Sequence, residues 1–362
     1  MSTINDALAA IKERKYADRR LAVFNLEFSQ MVDGQIRLTG KVLEKEMLDE
    51  LQVELAREFP DVTVDVSAVA VMRQIQPKIL TTATSLVSTH ARPSWDSETE
   101  NELVYGMTVE ILEEEDNWVY TRQTLDGYLA WAYKPYLSEQ PAYDPTHMVT
   151  APVAVLRQSP IRTALPTDRL MIGTEIHVET VDGEWAYIPA HMEATPPAMR
   201  GGWVRTNALT SFEDIPIGLE ERRRAILGYA FDLVGVPYLW GGTTAHGIDC
   251  SGFARLLHRL VGVPTPRDAD MQFHSGRPIP CPIPNRQVQQ DTPVELSPYR
   301  PGDMIFYASD EPGADNITHV SISLGGWEVI HSSRSRNGVQ VDDIRRVPHL
   351  SKSFFGGVSY LD

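Results

Sequence analysis

The sequence predicts an α+β protein in which four modules follow one another along the chain. Its 362 residues exceed what one hydrophobic core usually supports. The spacing of apolar residues also changes along the chain, from a mixed α/β pattern to short alternating β segments and then to a helix followed by strands. Two of the β segments repeat one pattern, which indicates a tandem pair.

Residues 1–76 are predicted to form a small α/β domain. Apolar residues alternate at 24–28 and 36–38, recur at helical spacing over 48–59, and alternate again at 62–66. A helix therefore separates the strands "QIRLTGKV" and "FPDVTVDVSAV". This order resembles the BON-type fold of bacterial envelope proteins. We expect a unit with its own apolar faces.

The next two modules are predicted from an internal repeat. "YGMTVEILEEEDNWVY" at 105–120 is echoed by "IGTEIHVETVDGEWAY" at 172–187. The echoes share the positions of a glycine and of a tryptophan, Gly106 with Gly173 and Trp118 with Trp185. Each continues into a second glycine and tryptophan element, "DGYLAW" or "RGGWV". Short strands with this pattern resemble bacterial SH3-like barrels, which we predict at 78–140 and 147–212. Unrelated β-rich linkers are the alternative.

Composition and charge exclude several classes of function. The 33 basic and 49 acidic residues give a net charge of −16, which disfavours nucleic acids and anionic surfaces as partners. No apolar run approaches the ~18 residues of a membrane span. The amino-terminal "MSTINDALAAIKERKYADRR" lacks the pattern of a secretory signal, so we expect a cytoplasmic protein. Two cysteines form no disulfide framework, and Cys281 lies in the proline-rich "RPIPCPIPN".

The fourth module, residues 216–362, contains the other cysteine, Cys250, at the start of a predicted helix. The apolar residues that follow fall on one helical face, at Phe253, Leu256, Leu257, Leu260 and Val261. Asp249 is a favourable N-cap, so Cys250 lies in the first turn, where free N–H groups and the helix dipole favour a thiolate. The glycine-rich "GGTTAHGI" before it lets a substrate approach the backbone. The alternative is an inert buried cysteine that begins a core helix.

A base for this thiol is predicted in "ITHVSISLGGWEVIHSS". A two-residue "GG" turn would place His319 and His331 on opposite faces of the strand pair. A three-residue "GGW" loop instead pairs Leu324 with Glu328 and places both imidazoles on one face as diagonal neighbours. We predict this second register, with His319 as the base for Cys250 and His331 as its orienting group. Two histidines at this spacing, without a nearby carboxylate or cysteine cluster, match no usual zinc site, so no metal or other cofactor is expected.

These motifs resemble those of the NlpC-type cell-wall peptidases, a family of papain-like cysteine peptidases. The resemblance rests on "GVPYLWGGTTAHGIDCSGF" and "THVSISLGGWEVIHSS" and covers residues 216–362. It implies that Cys250 is the nucleophile, His319 the base and His331 the orienting group. It also places Tyr238, in "PYLWGG", near the oxyanion, with simple packing as the alternative.

Two SH3-like modules before such a domain resemble the γ-D-glutamyl-L-diamino-acid endopeptidases that recycle murein peptides. Those enzymes cut L-Ala-γ-D-Glu–diamino-acid peptides that have a free L-Ala amino group. By this resemblance, Asp249 and Tyr128 bind the substrate ammonium together with a glutamate. Glu98 is our choice for that glutamate, and Glu100 is the alternative. Ser251 is implied to bind substrate through its hydroxyl.

The resemblance thus implies a cysteine endopeptidase that acts on free murein tri- and tetrapeptides. Three alternatives stay open: an exported endopeptidase acting on intact peptidoglycan, a wall-binding scaffold with an idle domain, and an acyltransferase that uses the same thiol. The segment "PRDADMQ" carries an arginine and a glutamine seen in the family, Arg267 and Gln272. It has Ala269 where relatives often have serine, which leaves the substrate contacts there open.

Overall fold

The computed structural model describes residues 3–32, 35–190, 192, 198–309 and 316–361. Its helices are α1 (Ile4–Lys15), α2 (Lys45–Glu58), α3 (Leu219–Asp232), α4 (Cys250–Arg259), α5 (Ala269–Ser275) and α6 (Pro348–Ser353). Over these described ranges, no helix combines the length and the apolar character that crossing a bilayer requires.

Strands make up most of the remaining regular structure. In chain order they are β1 (Phe24–Val32), β2 (Gln35–Val42), β3 (Thr63–Val71), β4 (Ile79–Thr82), β5 (Leu86–His90), β6 (Thr99–Val104), β7 (Thr108–Glu115), β8 (Trp118–Gln123), β9 (Leu129–Tyr133), β10 (Leu137–Ser138), β11 (His147–Val149), β12 (Val153–Arg157), β13 (Pro166–Met171), β14 (Glu175–Ile176), β15 (Thr180–Asp182), β16 (Trp185–Ile188), β17 (Gly202–Arg205), β18 (Leu209–Ser211), β19 (Thr243–Thr244), β20 (Gly247–Ile248), β21 (Arg277–Ile279), β22 (Met304–Ala308), β23 (Ile317–Gly325), β24 (Glu328–Ser333), β25 (Gly338–Asp343) and β26 (Phe354–Ser359).

The chain divides into two compact units. Unit 1 comprises Met1–Leu80, Arg92–Trp95 and Thr108–Lys134, and unit 2 comprises Thr81–Ala91, Asp96–Met107 and Pro135–Asp362. The strands of the predicted first barrel, 78–140, are shared out between them, with β7, β8 and β9 in unit 1 and β5, β6 and β10 in unit 2. Unit 1 also extends beyond the predicted boundary at residue 76. That 78–140 forms one SH3-like barrel therefore stays a prediction.

Unit 1 contains the strand, helix and strand predicted near the amino terminus. β2 pairs with β1 in antiparallel and with β3 in parallel orientation, and α2 connects the two parallel strands. Apolar residues of α2 pack into a buried cluster with those of β2, including Leu51, Leu55, Ile36 and Leu38. The predicted elements are confirmed, while the likeness to the BON-type fold stays a prediction.

The two echoing segments run through the same succession of elements along the chain. Gly106 and Gly173 both have left-handed backbone, with φ of +83° and +81°. Gly106 is followed by β7, and Gly173 by β14 and β15. Each segment then has a strand that starts with tryptophan (β8 or β16), a second strand (β9 or β17), a 3₁₀ turn and a short strand (β10 or β18). This supports the predicted repeat. The likeness of the segments to SH3-like barrels stays a prediction.

The carboxyl-terminal part of unit 2 is built on a six-stranded antiparallel sheet with the order β21-β26-β22-β23-β24-β25. α4 packs against this sheet through the predicted apolar stripe, whose members are almost fully buried: Phe253, Leu256, Leu257, Leu260 and Val261. The stripe ends before Gly262, which has a φ of +72° that suits glycine after a helix. The predicted helix is therefore confirmed, and its amino terminus meets the sheet at β23 and β24.

Candidate active site

Cys250 is the first residue of α4 and is buried. Asp249 is the N-cap, as predicted, because its backbone is extended and its Oδ1 accepts a hydrogen bond from the N–H of Gly252 at 2.6 Å. The backbone N–H groups of Val320 and Ser251 lie within hydrogen-bonding reach of the thiol. Since Val320 follows His319 on β23, the thiol lies beside the strand that carries the predicted base.

The Asp249 carboxylate is held by a buried arginine. Arg267, 1% exposed, donates through Nη1 to Oδ1 at 3.1 Å and through Nη2 to Oδ2 at 2.7 Å. Oδ2 also accepts from the N–H of Gly241 at 3.0 Å, and the Ser251 hydroxyl donates to Oδ1 at 3.2 Å. These donors occupy both carboxylate oxygens. These hydrogen bonds position the start of α4, and the binding of substrate by Asp249 and Ser251 stays a prediction.

The same arginine connects α4 to β6. Its Nε donates to Asn101 Oδ1 at 3.0 Å, and its Nη1 donates to Ser251 Oγ at 3.0 Å. Glu102, two-thirds of the way along β6, accepts from the N–H of Thr243 at 2.7 Å. β6 therefore supports the glycine-rich loop that leads into Cys250.

His319 on β23 and His331 on β24 lie on one face of the sheet. Ile322 pairs with Ile330, and this register places Ser321 opposite His331, so that His319 is the diagonal neighbour. The two rings are in contact, with His319 Nε2 at 2.6 Å from His331 Nδ1. The predicted register is confirmed at the site.

The turn between these strands differs from the prediction. Gly325, and not Leu324, pairs with Glu328, and the register shifts by one residue before the turn. Gly325 and Gly326 have φ of +107° and +61°, values that side chains other than glycine's rarely allow. Two consecutive glycines absorb the extra residue as a bulge, so a two-residue turn and the one-face arrangement of the histidines occur together.

A carboxylate that the sequence analysis missed completes the row of polar groups. Asp342 on β25 accepts from His331 Nε2 at 3.2 Å and from Arg336 Nη2 at 2.8 Å. Burial alone would raise its pKa, but these two bonds hold the pKa of Asp342 below its ordinary value. An ionised Asp342 fixes the proton of His331 on Nε2, which leaves His331 Nδ1 to accept from Nε2–H of His319. The lone pair on His319 Nδ1 then remains free to take a proton.

Cys250 and His319 open into one cavity of about 710 Å³. Tyr238 and Trp240 line it next to Cys250, as predicted for Tyr238. Burial raises the pKa of the Tyr238 phenol, which therefore stays protonated and can donate a hydrogen bond. The arrangement offers a thiol, a base and a phenolic donor to one bound carbonyl group. Among the described residues, no cluster of three or more histidine, cysteine or acidic side chains could hold a metal ion.

Residues 235–356 match the NlpC/P60 family. This part of the chain is an NlpC/P60 domain. Peptidases of this family are cysteine hydrolases, which agrees with the thiol and imidazole in the cavity.

Relatives with established names match over more of the chain than this domain. A γ-D-glutamyl-L-lysine dipeptidyl-peptidase of Bacillus subtilis is 28% identical over 262 residues, covering 68% of this chain and 76% of the relative. The enzyme of the same name from Bacillus cereus is 24% identical over 283 residues, covering 72% of this chain and 75% of the relative. A crystal structure of an NlpC/P60 family protein from Bacillus cereus covers 78% of this chain and all of that chain, with a TM-score of 0.63 at 20% identity. This last similarity shows the fold.

The predicted ammonium ligands outside the NlpC/P60 domain differ in how far they are exposed to solvent. Glu98, our first choice, is exposed, and its role as an ammonium ligand stays a prediction. The alternative, Glu100, is 7% exposed, and its neighbour Glu102 is 4% exposed. Tyr128 is buried in unit 1, whereas Cys250 belongs to unit 2, so a contact of Tyr128 with substrate stays a prediction.

The surroundings of Cys250 act against the thiolate that the start of a helix favours. Burial raises the pKa of Cys250 to about 12, and the nearby Asp249 carboxylate acts in the same direction. Burial, with the neighbouring His331 and His349, lowers the pKa of His319 well below its ordinary value. Desolvation thus acts on the thiol pKa against the helix terminus, and outweighs it.

We expect Cys250 to be alkylated slowly by iodoacetamide between pH 6 and pH 8. Only the thiolate reacts, and a pKa near 12 leaves little of it at these pH values. The measurement is mass spectrometry of the Cys281→Ser protein, in which Cys250 is the remaining cysteine. The rate should rise with pH above 9 and increase when urea exposes the thiol. His319→Ala should leave the rate nearly unchanged; fast alkylation at pH 6 that His319→Ala abolishes would instead establish a thiolate–imidazolium pair.

Proposed function

We propose that this chain is a cysteine endopeptidase that hydrolyses the bond between γ-D-glutamate and a diamino acid in free cell-wall peptides, as in murein recycling. The proposal includes a requirement for a free amino group on the preceding L-Ala. The observation that carries it is the row Cys250, His319 and His331, with thiol and base in one cavity. These are the parts that acyl transfer through a thioester requires.

The catalytic steps follow from the geometry of this row. Cys250 Sγ attacks the γ-carbonyl carbon of the substrate while its proton passes to His319 Nδ1. The oxyanion forms near the backbone N–H of Cys250 and the phenol of Tyr238. His319 then gives the proton to the departing amine, and the carbon–nitrogen bond breaks to leave a thioester. Water, deprotonated by His319, attacks the thioester and releases the acid and the free thiol.

The specificity is supported by the extent of the similarity to named relatives. Two γ-D-glutamyl-L-lysine dipeptidyl-peptidases align with 68% and 72% of this chain. The NlpC/P60 match alone covers 235–356. The alignments therefore include residues outside the catalytic domain, where an enzyme of this kind would carry its ammonium ligands.

Recognition of an ammonium group is supported by two buried glutamates on β6, Glu100 and Glu102. Burial raises the pKa of Glu102, although the hydrogen bond from the N–H of Thr243 and the nearby Arg267 act to lower it. Glu100 lies two residues before it on the same strand, and the backbone of Thr99 is in close contact with Gly241. A substrate cation placed at this side would be attracted by carboxylates that solvent screens poorly.

The proposal predicts cleavage of L-Ala-γ-D-Glu-L-Lys, or of the diaminopimelate peptide, with release of L-Ala-γ-D-Glu. The measurement is mass spectrometry of the products formed by the purified full chain. Cys250→Ala should abolish product formation, because it removes the nucleophile. Cys281→Ala is the matched control and should retain activity, since Cys281 lies outside the cavity.

N-acetylation of the substrate should reduce kcat/KM by at least about 100-fold, because a neutral amide leaves buried polar groups unpaired. Equal cleavage of the free and acetylated peptides would overturn the amine requirement and favour an enzyme of intact peptidoglycan. Cleavage of neither peptide would overturn the proposed function as a whole.

A further inference from the structure

The wall of the cavity beyond the catalytic row is cationic, although the chain as a whole has a net charge of −16. The two cations that line the cavity are Arg334, which follows β24, and Lys352 of α6; His349 of α6 lies beside them, and burial lowers its pKa. Among the described residues, no aspartate or glutamate lines the cavity. Charges of one sign in a cleft raise the local concentration of ligands of the opposite sign.

Arg334 is positioned by aromatic rings and not by an acid. Its guanidinium carbon lies 5.8 Å from the ring centre of Tyr238 and 5.9 Å from that of Trp240. Within the part of the chain that the structure describes, neither Arg334 nor Lys352 has a carboxylate at ion-pair distance. Stacking orders the guanidinium while leaving its N–H groups free for a ligand.

The cationic side chains of Arg334 and Lys352 line the same cavity as the base His319. His349 of α6 lines this cavity too, so α6 forms part of the wall around the base. In acyl transfer the base protonates the departing amine, so the leaving fragment lies next to it. The acidic residue Glu102 of β6 does not line this cavity and instead accepts from Thr243 in the loop before Cys250.

We propose that Arg334, assisted by Lys352, binds a carboxylate of the leaving fragment, the peptide portion that begins with the diamino acid. This inference rests on the proposed function and adds to it a second charge requirement. The enzyme would recognise both ends of a substrate peptide. Its carboxylates would bind the ammonium group of the peptide, and its cations would bind the carboxylate of the peptide. Longer or amidated leaving fragments that carry no carboxylate within reach would be poor substrates.

The test compares four substrates with the wild type and three variants. The substrates are L-Ala-γ-D-Glu-L-Lys, its lysine α-amide, the peptide with isoglutamine in place of γ-D-glutamate, and the peptide that carries both amides. We expect the lysine α-amide to lower kcat/KM of the wild type by about 10- to 100-fold, as for loss of a charge-assisted hydrogen bond. Arg334→Gln should cause a similar loss with the carboxylate substrate and less than threefold loss with the α-amide. Lys352→Gln should show the same pattern with a smaller effect.

Arg346→Gln is the matched control, because Arg346 is an exposed arginine of the same domain outside the cavity. It should leave all four substrates unchanged. Equal losses with free acid and α-amide in Arg334→Gln would overturn the proposal and assign Arg334 to packing on Tyr238 and Trp240. If Arg334→Gln instead cleaves the isoglutamine peptide as well as the γ-D-glutamate peptide, the cation binds the free α-carboxylate of γ-D-glutamate. The proposal is then wrong. Failure of the wild type to cleave any of the peptides refutes the proposed function, whereas wild-type cleavage with unaltered Arg334→Gln refutes this subsite alone.

Discussion

Asp342→Asn should lower kcat/KM by about 10²- to 10³-fold, and by more than Asp342→Ala does. The reason is the direction of the hydrogen bonds across β23, β24 and β25. Arg336 donates to Asp342 Oδ1 at 2.8 Å, so an asparagine would turn its oxygen to the arginine and its NH₂ to His331. His331 Nε2 would then accept, its Nδ1 would carry the proton, and it would donate to His319 Nε2. His319 Nδ1 would be protonated and unable to act as base.

Asp342→Ala has a smaller expected effect of about tenfold, because water can accept from His331 Nε2 and allow both tautomers. The more conservative substitution is thus predicted to be the more damaging one, which a purely structural role would not produce. Nitrogen-15 NMR of labelled histidines should show the proton of His319 moving from Nε2 to Nδ1 in Asp342→Asn. This second readout does not depend on knowing the substrate.

Asp343→Asn is the control for this experiment. It lies next to Asp342, and its carboxylate pairs with Arg345 and not with the histidines. We expect its kcat/KM to stay within threefold of the wild type. Asp342→Asn with wild-type activity, or with no more loss than Asp342→Ala, would refute the tautomer argument.

Asp342 was missed because its role depends on a strand register that the sequence leaves open. "GVQVDD" alternates, so Gln340 and Asp342 share a face, and this could have been read from the sequence. Whether that face is the face of His331 depends on the turn between β24 and β25. There a 3₁₀ turn and a left-handed Asn337, with φ of +55°, set Ser333 opposite Gly338. Turn signals locate such a turn but do not fix its length.

The elements around Cys250 were predictable because each rests on local rules. The apolar stripe from Phe253 to Val261 and the N-cap at Asp249 specify α4, and alternation specifies β23. The charge state of the thiol was not predictable in this way. It depends on burial by residues far apart in the sequence, and burial outweighs the local helix terminus at Cys250.

The choice between Glu98 and Glu100 was left open by the sequence for a related reason. Three glutamates lie close together in "SETENELVYG", and only the strand geometry of β6 distinguishes them. Glu98 precedes β6 and is exposed, while Glu100 and Glu102 lie within it and are buried. In the same way, the sequence marked Arg267 as a residue of a family motif but did not identify its partner. Asp249 and Arg267 are brought together by tertiary structure.

The partnership of Arg267 with Asp249 leads to the second large expected effect, a loss of about 3–5 kcal/mol of unfolding free energy in Arg267→Met. Methionine fills a similar volume but provides no donor, so the Asp249 carboxylate, 6% exposed, would lose its cation. Asn101 and Ser251 would each lose a hydrogen bond from Arg267 at the same time. The measurement is the urea concentration at the midpoint of unfolding, followed by circular dichroism, with the slope of the transition checked against the wild type.

The double variant Arg267→Met/Asp249→Asn separates charge from packing. Asparagine keeps an acceptor for the N–H of Gly252 while removing the unpaired charge, so the double variant should be more stable than Arg267→Met alone. If both variants lose the same free energy, or if Arg267→Met costs less than about 1 kcal/mol, the ion pair does not hold the start of α4.

In Arg267→Met the unpaired carboxylate next to Cys250 would also raise the thiol pKa further, because the arginine acts to lower it. Iodoacetamide alkylation should therefore be slower than in the wild type under native conditions, although the protein is less stable. A variant that merely loosened the fold would be alkylated faster, so the direction of this change distinguishes an electrostatic role of Arg267 from a purely mechanical one.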